Sequence, residues 1–71
     1  MIAEDQIKPG IEIIEESNGM TRSARNGQIK THYRVESQRS EYSWNVKIIE
    51  CGRELSYYLS TGEIMRCYIK Q

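Results

Sequence analysis

Apolar and polar residues alternate with a period of two through much of this chain. In "YSWNVKII", Tyr42, Trp44, Val46 and Ile48 fall on one face and Ser43, Asn45 and Lys47 on the other, the pattern of a half-buried strand. "ELSYYLS" repeats it, with Leu55, Tyr57 and Leu59 opposing Ser56, Tyr58 and Ser60. "EIMRCYIKQ" sets Met65, Cys67 and Ile69 against Arg66, Tyr68 and Lys70. Two weaker runs, "IEIIEE" with Ile11 and Ile13 inward and "THYRVES" with Tyr33 and Val35 inward, complete a set of five predicted strands. No stretch of helical length carries apolar residues at i, i+3 and i+4, so a long helix is not expected.

Turn chemistry separates the runs. Lys8-Pro9-Gly10 suits a turn into the first strand, with Pro at the second position and Gly supplying a positive φ at the third. Asn18-Gly19 and Asn26-Gly27 are further turn signals, and Cys51-Gly52 reads as a tight hairpin between the third and fourth strands. In "STGE" the Ser60 hydroxyl can cap one turn of helix while Glu63 reaches back to it, the reciprocal arrangement of a capping box.

This order of elements resembles the SH3-like small barrel: five short strands, a long loop after the first, a hairpin joining the third and fourth, and a helical turn before the fifth. The resemblance covers about residues 7–70 and is one of connectivity. It implies an all-β, five-stranded, mostly antiparallel barrel, and Sm-like and OB-like barrels share the strand count. The aromatic pattern and acidic first loop of SH3 domains do not occur here, and the corresponding loop is basic. The resemblance therefore implies no proline-rich ligand.

Length narrows the picture. Seventy-one residues form a single small domain, 1–71, which buries only about 60% of the surface exposed by its unfolded chain. No run is apolar and long enough for a signal peptide or a membrane span, so the expectation is a cytoplasmic protein with no membrane partner. Cys51 and Cys67 are then expected as reduced thiols. With one histidine beside two cysteines the chain lacks a structural zinc set, and no metal or cofactor is expected.

Chemistry is hard to place on these residues. His32 lies on the face opposite Tyr33 and Val35 with no nucleophile or acid assigned to it, Glu15 and Glu16 project to opposite faces of one strand, and the glycines make no phosphate-binding motif. The chain reads as a non-catalytic binding module.

Charge supplies the candidate surface. Acids and cations balance at ten each, yet residues 1–17 carry five acids against Lys8, whereas "GMTRSARNGQIKTHYR" carries Arg22, Arg25, Lys30 and Arg34 and no acid. Three readings compete for these cations and for His32 among them. They can balance the acidic first strand at little specific energy. They can contact phosphates, with outward-facing Tyr58 and Tyr68 and the neighbouring Arg66 and Lys70 forming an aromatic platform for a nucleic acid. Or the same basic loop and aromatic patch can face a protein, because Arg and Tyr are enriched at the energetic centres of protein interfaces. Protein interaction or regulation, including pairing with a second copy, is the principal expectation, and a nucleic-acid-binding barrel is the alternative.

Overall fold

The computed structural model describes residues 1–18 and 28–70. It contains strands β1 (Glu12–Asn18), β2 (Gln28–Ser40), β3 (Ser43–Glu50) and β4 (Arg53–Ser60), a short helix α1 (Thr61–Met65) and a last strand β5 (Tyr68–Ile69). A 3₁₀ turn over Glu4–Gln6 precedes them. All strands are antiparallel and lie in one sheet of order β4-β3-β2-β1-β5. The Asn26-Gly27 turn signal, and Gly19 of the other, fall outside the described residues.

Local chemistry accounts for the junctions. Pro9 and Gly10 form the expected turn: Gly10 sits at φ 97° and the Ile11 N–H donates to the Lys8 carbonyl at 3.4 Å. Cys51 and Gly52, at φ 49° and 78°, make a two-residue turn with both central residues left-handed, which matches strand twist and closes the pair Glu50–Arg53. The Ser60 hydroxyl accepts from the Glu63 N–H at 3.1 Å while the Ser60 N–H donates to Glu63 Oε1 at 2.9 Å, so the capping box is formed.

That capping box also overturns part of the fifth predicted strand. Once Ser60 nucleates a helix, Glu63, Ile64 and Met65 lie in α1, and only Tyr68–Ile69 remain to pair with β1. Ile64 becomes fully buried, a role that strand alternation denies it. The expected barrel is corrected for the same reason. A two-residue β5 reaches Ile13 and Ile14 of β1, no pairing joins it to β4, and the sheet stays open with β4 and β5 at opposite edges. Two register shifts in β2, between Val35 and Ser37 and between Gln38 and Ser40, bend the sheet without closing it.

The registers carry one apolar row across all five strands: Ile69, Ile13, Tyr33, Ile48 and Leu55. A second row joins Val35, Val46 and Tyr57, and a third joins Trp44 and Leu59. Over this face lie Ile2, Ile7, Ile64 and Cys67, which with Ile13, Tyr33, Val35, Val46 and Leu59 form the buried core. Ile11, Trp44, Ile48 and Met65 pack at its margin. The amino-terminal segment is tied down by the Ile2 N–H, which donates to the Met65 carbonyl at 3.0 Å, and the Val35 carbonyl accepts from the Gly10 N–H at 2.8 Å.

Candidate interaction surface

The basic stretch is only partly a loop. Arg22 and Arg25 lie outside the described residues, but Lys30, His32 and Arg34 belong to β2, and their alternation with Tyr33 and Val35 puts all three on the face away from the core. Each meets a carboxylate there. Lys30 Nζ lies 3.4 Å from Glu16, and His32 Nε2 lies 2.6 Å from Glu12 Oε1, both acids being on β1. Arg34 holds Glu36 at 2.9 Å through Nε and grips Glu54 of β4 at 2.7 and 3.3 Å with its two terminal nitrogens. The hydrogen bonds and charge of Arg34 hold the Glu54 carboxyl below the usual glutamate range. Lys70, 3.7 Å from Glu12, joins the same network.

The aromatic patch expected from Tyr58, Arg66, Tyr68 and Lys70 is not assembled as one site. Tyr58 is on β4 and Tyr68 on β5, the two outer strands, about 19 Å apart across an ordinary sheet. Tyr68 keeps company with Ile14 of β1, and partial burial and the adjacent Glu16 carboxylate raise its phenol above the ordinary tyrosine value. Lys70 is within reach of the same strand through Glu12. Arg66 follows α1, exposed, and no carboxylate among the described residues is in ion-pair contact with it.

A different cluster forms at the β4 edge. The Arg39 guanidinium lies over the Tyr58 ring, 4.2 Å from its centre, and Tyr58 stacks on Tyr57 with centroids 5.9 Å apart and planes 25° from parallel. Tyr57 and Leu55 belong to the core face yet remain 51% and 44% exposed, because the amino-terminal segment and α1 cover the sheet only as far as Leu59 on this strand. Alternation places Leu55 and Tyr57 on one face with Leu59 and gives no signal for Arg39. It reports which face a side chain takes, and only the strand order shows that β4 is an edge, paired by β3 alone among the described strands.

β4 itself is regular. Its pairing with β3 runs without a shift from Arg53 to Ser60, and "RELSYYLS" contains no Pro and no Gly. Natural edge strands are commonly blunted by proline, bulges or inward charges. Here the charged pair Arg53 and Glu54 sits only at the hairpin end.

Of the open hollows among the described residues, two lie at the ends of the sheet's outer strands. One, of about 200 Å³, lies at the hairpin tip against Glu50, Cys51, Arg53 and Leu55. The other, of about 660 Å³, lies beside β5 against Met1, Gln6, Ile14, Tyr68, Ile69 and Lys70. Neither brings a histidine to a nucleophile. Cys51 is an exposed free thiol, and Cys67 is buried, its Sγ donating to the Glu63 carbonyl at 3.4 Å. Burial, with the charges of Glu15 and Glu63, pushes the Cys67 thiol up to about 11. Burial and the Glu15 carboxylate, which accepts from the Tyr33 hydroxyl at 3.1 Å, raise the Tyr33 phenol in the same way.

Among the described residues no three His, Cys, Asp or Glu side chains gather as a metal site, and no helix is long and apolar enough to cross a membrane. No family model, curated protein or solved structure matches the chain.

Proposed function

We propose that this chain is a non-catalytic protein-interaction module that receives its partner along the outer edge of β4. The observation that carries the reading is an eight-residue, shift-free edge strand flanked by exposed Leu55, Tyr57 and Tyr58. Main-chain groups on such an edge supply affinity to an added strand, and the neighbouring side chains supply selectivity. The described cations of the basic stretch favour the same reading over nucleic acid. Lys30, His32 and Arg34 already hold carboxylates, so a phosphate would have to displace them. A cytoplasmic setting belongs to this proposal, because two free thiols suit a reducing compartment. The likeness to SH3-like domains is one of element order, and no ligand is borrowed from it.

The test is a selection of unstructured peptides against the immobilised protein, followed by anisotropy titrations of the selected peptides, of single-stranded RNA and of single- and double-stranded DNA. Peptide binding that survives physiological salt and is lost in Ser56→Pro is the expected result. Ser56→Pro is chosen because it removes an edge N–H while leaving a strand-compatible backbone. Micromolar nucleic-acid binding that weakens steeply with salt, or peptide binding indifferent to Ser56→Pro, would overturn the proposal.

A further inference from the structure

The edge of β4 has a hydrogen-bonding phase that follows from its hairpin. In a two-residue turn of this type the flanking pair, here Glu50 and Arg53, is hydrogen-bonded. Arg53, Leu55, Tyr57 and Leu59 therefore use their main-chain groups on β3, and Glu54, Ser56, Tyr58 and Ser60 turn theirs outward. The Ser60 N–H conforms to this phase, since it is free to donate to Glu63 Oε1. The capping box thus closes the end of the edge, and among the described residues Glu54, Ser56 and Tyr58 remain open.

Resting on the reading of β4 as the interaction edge, we infer that its occupant is β4 of a second copy, antiparallel, with the two-fold axis through Ser56. Few registers are open to such a pair. An axis normal to the sheet keeps core face with core face, so each residue opposes one of its own parity and the axis passes through a residue. Centring on Arg53 or Glu54 sets like charges opposite each other. Centring on Leu55 leaves Tyr58 without a strand partner, and centring on Tyr57 sets Glu54 against Ser60, whose N–H is taken. Centring on Ser56 matches the three open residues among themselves: Ser56 with the partner's Ser56, and Glu54 with the partner's Tyr58.

Side chains agree with that register on both faces. On the core face exposed Leu55 meets the partner's exposed Tyr57, twice by symmetry, an aliphatic–aromatic cross-strand pair. On the outer face Glu54, which Arg34 of its own copy already holds, meets the partner's Tyr58, whose ring carries the Arg39 guanidinium, so a second guanidinium approaches that carboxylate at both ends of the shared strand. The chain has no net charge to oppose self-association. Two five-stranded sheets become one of ten strands. Four half-exposed tyrosines at about 100 Å² apiece leave the interface well below the roughly 1,200 Å² at which stable specific complexes begin. The pairing is accordingly weak and concentration-dependent.

Sedimentation velocity from about 5 to 500 μM tests this, alongside disulfide trapping in a Cys51→Ser background. The expected result is a monomer–dimer equilibrium whose dissociation constant rises at least about tenfold in Ser56→Pro, with the circular dichroism of the sheet retained. Ser56→Cys should cross-link on mild oxidation, because hydrogen-bonded opposite residues have Cα atoms about 5.5 Å apart. Lys47→Cys on β3, three strand spacings or about 14 Å from its equivalent, should not. A monomer at every concentration with no Ser56→Cys cross-link overturns self-pairing, and a dimer indifferent to Ser56→Pro overturns its placement on β4. In either case peptide binding lost in Ser56→Pro would leave the broader reading of the edge intact.

Discussion

Alkali should weaken this fold, and the cause is one buried thiol. Cys67 has no exposed surface, and burial together with Glu15 and Glu63 pushes its thiol up to about 11. In the unfolded chain an ordinary thiol ionises between about 8.5 and 9. Above that value the unfolded state releases a proton that the folded state keeps, so the unfolded state binds fewer protons and stability falls as pH rises. The contribution is intact below the unfolded value and fades up to the folded one. For a two-unit shift the loss is about 1.3 kcal/mol between pH 8 and pH 10. That is a large share of the roughly 4–10 kcal/mol expected for a domain of this size. Tyr33, raised by burial and by Glu15, adds a loss of the same sign above about pH 10. Urea midpoints followed by Trp44 fluorescence in Cys51→Ser protein, under reducing conditions at half-unit pH steps, read this directly. Cys67→Ala should lower stability at every pH and flatten the slope below pH 10. An unchanged slope in Cys67→Ala, or no slope in the parent, would refute the reasoning.

Three substitutions test the packing and the junctions. Ile64→Ala empties a fully buried site and should cost about 2–5 kcal/mol, enough to leave much of the protein unfolded by circular dichroism. Ser60→Ala removes the hydroxyl that caps α1 and should cost about 1 kcal/mol in urea denaturation, with Trp44 fluorescence as the probe. Cys51→Asn should stabilise by about 0.5 kcal/mol, because Asn-Gly is the favoured pair where both turn residues are left-handed; a lower melting temperature in that variant would contradict the turn assignment.

What the sequence made legible was mostly short-range. The Pro9-Gly10 turn, the Cys51-Gly52 hairpin and the Ser60–Glu63 capping box depend on residues within four positions of one another, and all are present; the alternation of 42–48 holds for Trp44, Val46 and Ile48, whereas Tyr42 lies in the turn before β3 and is exposed. Trp44 faces the core but lies at its margin. The losses come from long-range placement. Ile2 and Ile7 stand in an acidic opening segment without periodicity, yet they cap the core because the segment is anchored to Met65. Tyr58 and Tyr68 share an outward parity that carries no information about which strands lie between them. Lys30, His32 and Arg34 read as loop cations because composition dominated, and their carboxylate partners became visible only through the registers of β1 and β4.

The sheet order also orders events in time. β2, β3 and β4 are joined by short turns, so their contacts form at small loop-closure cost, whereas β5 must return past the whole meander to meet β1. The first and last strands thus meet late, and the Ile13–Ile69 pairing belongs on the native side of the folding barrier. Truncating Ile69 to Ala should therefore accelerate unfolding and leave the refolding rate nearly unchanged, so β5 sets how long the folded state lasts rather than how quickly it is reached.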